Sequence, residues 1–153
     1  KNIGNLENFF PNYQPFDKIE ADFKCCIIRN PIKRFLSTYK NRILYHKDLA
    51  FRNLSIDMIL KKLLNNNFDN KHFLPQVYFL GKNLNYYSFY SDVNNLKLFV
   101  NQVNDFFGKK IEFPKMQIGG SEFQINLSKK QVKTIEKIYN NDFELYDLRN
   151  TKN

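Results

Sequence analysis

An arginine and a serine eight positions apart, Arg29 and Ser37, are the side chains whose types and spacing could do chemistry. A guanidinium offers a planar fork of donors to a phosphate, and a hydroxyl adds a short neutral donor. Between them, Asn30 and Pro31 predict a helix start, with Asn30 as the cap and Pro31 as the first helical residue. The pair therefore predicts an anion site at a strand-to-helix junction. On these residues alone, a solvated Arg29 and a merely structural Ser37 are equally acceptable.

The elements around this pair would bring it to one crevice. The apolar run 23–28 predicts a strand buried on both faces, and the apolar spacing over 31–45 predicts an amphipathic helix. Such a strand delivers Arg29 to the carboxyl end of the sheet, where open α/β sheets bind ligands, and the helix N-terminus points its positive dipole end there. Asn30, Arg34, Ser37 and Asn41 form one polar stripe on that helix. Arg34 could thus reach a donor phosphate or an acidic acceptor, or form a surface ion pair.

The rest of the chain predicts an α/β domain with a small parallel sheet flanked by helices. Capping residues place three further helices, after Ser55, after Ser91-Asp92 and after Ser128, where Gln131 completes a capping box. Residues 86–90 predict a second strand, 65–76 a polar loop, and 1–21 an irregular lead-in. No linker or repeat divides the chain, so we expect one domain over residues 1–153.

Composition restricts the classes of function. The 153 residues carry 24 Lys and Arg against 15 Asp and Glu, a net charge of +9 that favours anionic partners. The 16 Phe and nine Tyr exclude wholesale disorder, and no apolar run approaches a membrane span. The only cysteines, Cys25 and Cys26, are adjacent, which excludes a disulfide framework and a CxxC pair. Two histidines without a paired acidic motif predict no metal site.

Three segments carry a resemblance to a known family. The run IIRNPIKRFLSTY (27–39) resembles the 3′-phosphate-binding motif of sulfotransferases, closest to the carbohydrate branch with heparan 2-O- and chondroitin-type enzymes and bacterial relatives. HFLPQ (72–76) resembles the His-x-x-Pro-Gln segment of that branch, and NDFELY (141–146) resembles its C-terminal Tyr-x-x-Asp-Phe-x-Leu ending. The three occur in the family's order and together span roughly residues 23–148.

The resemblance implies a P-loop-like sulfotransferase fold and a reaction. The enzyme would transfer a sulfuryl group from 3′-phosphoadenosine 5′-phosphosulfate (PAPS), without a metal, to a hydroxyl or amine of an acceptor, with carbohydrate as the expected class. The matching Arg29 and Ser37 would hold the 3′-phosphate of the donor. The further residues expected at the site are Arg34 and the late loop Gly119, Gly120 and Ser121 of FPKMQIGGS (113–121) at the donor, and His72 and Gln76 at the acceptor.

One family signature has no counterpart in this sequence. The Pro-Lys-x-Gly-Gly-Thr-Ser loop that cradles the 5′-phosphosulfate matches nothing before Phe23. Because the chain begins with Lys1, we expect an N-terminally incomplete domain whose loop lies upstream. Glu7 and Glu20 fall in the interval that commonly supplies the general base, but neither lies in a motif, so the base is unassigned.

Two other classes of function stay open at this stage. A relative that binds nucleotide or glycan without catalysis would explain the missing loop, and a nucleic-acid-binding module would explain the charge and aromatic content. A P-loop kinase has no support because GxxxxGK[ST] is absent from the sequence. We expect a cytoplasmic protein, or a Golgi-lumenal one if a membrane anchor lies upstream.

Overall fold

The computed structural model describes residues 18–112 and 119–148, so most of the expected lead-in lies outside the described residues. Within these residues, two strands and six α-helices follow one another with short 3₁₀ turns between them. Their bounds are β1 Cys25–Ile28, α1 Pro31–Thr38, α2 Ile56–Leu64, α3 Val77–Leu80, β2 Phe89–Asp92, α4 Leu96–Phe107, α5 Lys129–Ile138 and α6 Asn140–Leu148. No helix within the described ranges is both long and apolar enough to cross a membrane.

The two strands confirm the predicted α/β class with a small parallel sheet. β1 and β2 pair in parallel, with Cys25 opposite Phe89 at one end and Ile28 opposite Asp92 at the other. The second strand lies later than the sequence predicted, because residues 84–86 form a 3₁₀ turn before it. Ser91, expected to cap a helix together with Asp92, is instead a buried strand residue. Asp92 caps the 3₁₀ turn Val93–Asn95 that precedes the next helix, accepting a hydrogen bond from the backbone N–H of Asn94 at 2.7 Å.

The helix after β1 starts where its cap predicted. The side chain of Asn30 accepts a hydrogen bond from the N–H of Lys33 at 3.1 Å, and Pro31 is the first helical residue. From Tyr39 to Tyr45 the helix continues with the wider π geometry, which α-helical spacing did not predict. The N–H of His46, for example, donates to the carbonyl oxygen of Asn41, five residues back.

Among the remaining helices, the sequence predicted those whose first turn is marked by a capping residue. Ser55 caps α2, and Ser128 and Gln131 form the predicted capping box at α5. The short helix α3 and the last helix α6 were not predicted, because α3 has only four residues, directly after the segment assigned to loop, and α6 has no strong apolar periodicity. The buried side chains of α4 are Phe99 and Val103.

The helices cover the sheet and enclose the main core. α1 packs against α5 and α6, α2 packs against α5, and α4 packs along β2. Three aromatic rings stand at the centre of this core, where Phe73 lies 5.5 Å from both Phe35 and Phe51 between ring centroids. Because Phe35 belongs to α1 and Phe73 to the segment before α3, this packing holds the helix beside the loop that carries His72.

Candidate functional site

Arg29 and Ser37 line the same two adjoining clefts at the carboxyl end of β1. The first cleft, of about 390 Å³, is also lined by Arg34, His72 and Gln76. The second cleft, of about 450 Å³, has a different set of further lining residues, namely Lys33, Leu36, Lys40, Gly119, Gly120 and Ser121. The junction thus brings together all eight side chains and loop residues that the sequence placed at the site.

The guanidinium of Arg29 has a nitrogen without a hydrogen-bond partner in the described part of the chain. Its Nε is buried and makes no hydrogen bond there. Burial lowers the pKa of its guanidinium, and the nearby Asp92 carboxylate opposes that shift. A buried guanidinium nitrogen without an acceptor is costly unless a ligand supplies one. The residue therefore fits an anionic ligand that enters the clefts.

Arg34 and Thr38 are directed toward the loop that carries His72. The Nη2 of Arg34 and the hydroxyl of Thr38 both donate to the carbonyl oxygen of His72, each at 3.4 Å. Burial lowers the pKa of Arg34, which the negative charge of Asp142 counteracts. Arg34 lines the first cleft but not the second, so it stands between the anion site and the His72 loop.

A polar network fixes the His72 loop from the other side. Asp48 receives two hydrogen bonds from Arg42, both at 2.8 Å, and a third from Asn70 at 3.0 Å. Asn70 in turn accepts from the backbone N–H of His72 at 3.1 Å. Burial, followed by the charge of Arg42, lowers the pKa of the His72 imidazole, which keeps it neutral at pH 7. Asp48 and Asn70 were not identified from the sequence, because their partners are distant in the chain.

Gln76 has a different environment from that expected of an acceptor contact. Its side chain is 6% exposed, and its amide is hydrogen-bonded to the main chain of Arg29. Asp142, which is completely buried, accepts hydrogen bonds from the backbone N–H groups of Gln76 and Val77. Burial raises the pKa of the Asp142 carboxyl, while these two hydrogen bonds oppose the shift.

The glycine pair lets the late loop lie directly on the helix. Gly120 has φ +85°, and a Cβ there would stand 2.7 Å from the carbonyl carbon and oxygen of Lys40. A Cβ on Gly119 would lie 2.7 Å from the ring of Tyr45, and the Gly119 carbonyl accepts from Asn41 at 3.2 Å. At position 120 only glycine allows so close an approach, because the contact is with backbone and φ is positive. The preceding residues 113–118 of the proposed late loop lie outside the described residues.

Within the described residues, the structure gives no general base among the two glutamates considered from the sequence. Glu20 is exposed and lines neither cleft, while Glu7 lies outside the described residues. Within residues 18–112 and 119–148, no cluster of three or more His, Cys, Asp or Glu side chains could hold a metal ion.

Comparisons with known proteins are consistent with the site. A family model described as the sulfotransferase family matches residues 3–149 of the 153. Comparisons with curated proteins and with solved structures gave no significant match.

Proposed function

The chain belongs to the sulfotransferase family, and we propose that it transfers a sulfuryl group from PAPS to an acidic carbohydrate. The family supports sulfuryl transfer in general, whereas the donor and the acceptor class are our proposal. In the reaction, the bond between sulfur and the 5′-phosphate oxygen of the donor breaks. A bond between sulfur and an acceptor oxygen forms, and the acceptor proton passes to a base. The other product is adenosine 3′,5′-bisphosphate.

The observation that carries the donor assignment is the buried Nε of Arg29, which lacks an acceptor within the described residues, on a side chain that lines both clefts together with Ser37. Both side chains line both clefts, and within the described residues neither makes a hydrogen bond. A phosphate would supply the missing acceptor for Nε and would accept from the hydroxyl of Ser37. Because the phosphate is dianionic, Lys33 and Lys40 at the rim of the second cleft would add attraction. We therefore assign the 3′-phosphate of the donor to this junction.

The acceptor is assigned to the first cleft, on the side of His72. The cationic side chains of Arg34 and Lys71 line this part of the cleft together with the neutral imidazole of His72. Positive charge favours an acceptor that carries carboxylate or sulfate groups, and an imidazole can hydrogen-bond to its hydroxyl groups. These features support an acidic glycan over a neutral sugar.

The binding test compares adenosine 3′,5′-bisphosphate with adenosine 5′-monophosphate, which lacks only the 3′-phosphate. Calorimetry should give a clear preference for the bisphosphate. Arg29→Ala removes charge-assisted hydrogen bonds worth about 1.5–3 kcal/mol, so it should weaken bisphosphate binding by roughly 10- to 150-fold. The monophosphate affinity should hardly change. Arg52→Ala removes an exposed positive charge that lines neither cleft and is the matched control.

The activity test follows release of adenosine 3′,5′-bisphosphate from PAPS in the presence of acidic and neutral glycans. We expect release to depend on an acidic glycan and to be lost in Arg29→Ala. Equal binding of the two nucleotides would refute the 3′-phosphate assignment. A preference for the bisphosphate without turnover would instead indicate a binding protein. Affinity for oligonucleotides that falls steeply with salt, without nucleotide selectivity, would indicate a nucleic-acid-binding module.

A further inference from the structure

We propose that Gln76 is a positioning residue that fixes the main chain of Arg29, and that Asp142 holds Gln76 in place. This inference rests on the proposed function, because it concerns how the 3′-phosphate site is kept in shape. It explains how three segments that are far apart in the sequence act together at one site. Arg29 follows β1, Gln76 precedes α3, and Asp142 lies in α6.

The first contact is a pair of hydrogen bonds between Gln76 and the backbone of Arg29. Oε1 of Gln76 accepts from the N–H of Arg29 at 2.9 Å, and Nε2 donates to its carbonyl oxygen at 2.8 Å. Strand pairing ends one residue earlier, at Ile28 opposite Asp92. The primary amide of Gln76 therefore takes the place of a neighbouring strand and extends the ordered backbone by one residue. The Arg29 side chain leaves from that residue toward both clefts.

The second contact fixes the backbone from which Gln76 projects. The two carboxylate oxygens of Asp142 accept from the N–H of Gln76 at 2.7 Å and from the N–H of Val77 at 2.9 Å. Asp142 is fully buried, and Gln76 is 6% exposed. Buried hydrogen bonds to a carboxylate hold their donors within a narrow range of positions. The order of dependence therefore runs from Asp142 through Gln76 to Arg29.

These contacts assign Gln76 a role different from acceptor binding. Both polar atoms of its side chain are already engaged by Arg29, so an acceptor would have to compete with an existing pair of part-buried hydrogen bonds. Within the described residues, the side chain of His72, which lines the same cleft, makes no hydrogen bond that would have to be broken. The acceptor contact proposed for this segment thus falls to His72, and Gln76 acts through Arg29.

The test measures selectivity, defined as the ratio of the dissociation constants for adenosine 5′-monophosphate and adenosine 3′,5′-bisphosphate. Gln76→Met keeps the length of the side chain and removes both hydrogen bonds, so we expect the ratio to fall roughly tenfold. Gln131→Met is the matched control. The Gln131 side chain also makes two hydrogen bonds, to Ser128 and Asp57, but it lies in the α5 capping box away from both clefts. Its loss should leave the ratio unchanged.

A double variant separates positioning from an independent contribution. If Gln76 acts through Arg29, Arg29→Ala/Gln76→Met should have the same ratio as Arg29→Ala alone. Partial unfolding would weaken both nucleotides equally and leave the ratio intact, so a purely structural role gives a different result. If Gln76→Met does not fold, Gln76→Glu replaces it. This variant keeps the acceptor for the Arg29 N–H and should give an intermediate ratio.

The outcomes distinguish this inference from the proposed function. The positioning role would be overturned if the Gln76 variants kept the wild-type ratio while Arg29→Ala lost its preference for the bisphosphate. The donor site would then stand. An additive loss in the double variant would also overturn it. An unchanged ratio in Arg29→Ala itself would instead refute the proposed 3′-phosphate site, and with it the inference that rests on that site.

Discussion

Replacing Asp142 with alanine should destabilise the protein far more than its position near the end of the described chain would suggest. The carboxylate is fully buried, and it is the acceptor for two backbone N–H groups, at 2.7 and 2.9 Å. Alanine would leave the buried N–H of Gln76 and the part-buried N–H of Val77 without that acceptor, at about 1–3 kcal/mol each. Part of this loss is offset, because the variant no longer has to bury a carboxylate. We therefore expect the free energy of unfolding to fall by about 2–4 kcal/mol.

Urea unfolding followed by circular dichroism measures this change. Asp57→Ala is the matched control, because Asp57 is an exposed carboxylate that accepts one side-chain hydrogen bond, from Gln131 at 3.0 Å. Its loss should cost no more than about 0.5 kcal/mol. A loss in Asp142→Ala that is no larger than in Asp57→Ala would refute the reasoning, because the buried bonds would then contribute nothing net.

The pH dependence of the same position has a definite sign. Burial raises the pKa of Asp142 above its ordinary value, so the folded protein binds this proton more readily than the unfolded chain. The contribution of Asp142 to stability is therefore greatest below about pH 4 and is lost as the pH rises through the raised pKa. Asp142→Asn does not titrate. The stability difference between wild type and Asp142→Asn should shrink as the pH rises from 4 to 7, and a difference that grows would contradict the assigned shift.

Three further predictions concern the clefts. Ser37→Ala should weaken binding of adenosine 3′,5′-bisphosphate by roughly two- to tenfold in calorimetry, with little effect on thermal stability or on the 5′-monophosphate, because the hydroxyl has no partner among the described residues. His72 should destabilise the fold on acidification, because burial lowers the pKa of its imidazole. Its contribution to stability is intact above about pH 6.5 and is lost as the pH falls through the lowered pKa. Melting curves of His72→Asn should lack this part of the pH dependence. Gly120→Ala should lose about 1–3 kcal/mol of stability, because its φ is +85° and its Cβ would meet the Lys40 carbonyl at 2.7 Å. Gly108→Ala, with φ +61° and nothing within 4 Å, should lose less, and an equal loss would exclude the steric contact as the cause.

Features that depend on neighbouring residues could be predicted from the sequence. The Asn30 cap and the Ser128–Gln131 capping box involve residues three positions apart, so their chemistry is visible in the sequence. The phosphate hypothesis for Arg29 and Ser37 depended on one strand and one adjoining helix, and the structure brings both side chains to the same clefts.

Features that depend on distant residues could not be predicted. The π geometry over Tyr39–Tyr45 and the displaced second strand have no local signal that distinguishes them from regular alternatives. The roles of Gln76 and Asp142 come from pairs 47 and 66 residues apart. Their segments were recognised as resembling a family, yet the resemblance alone did not indicate which backbone atoms they hold. Such contacts become visible only once the chain is folded.

The most direct measurement of the central claim is a crystal structure with adenosine 3′,5′-bisphosphate bound. The account predicts that the oxygens of the 3′-phosphate lie about 3 Å from the guanidinium of Arg29 and from the hydroxyl of Ser37, with Gln76 still bonded to the Arg29 main chain. A bisphosphate whose 3′-phosphate lies elsewhere, with the Arg29 guanidinium still lacking an acceptor, would contradict it.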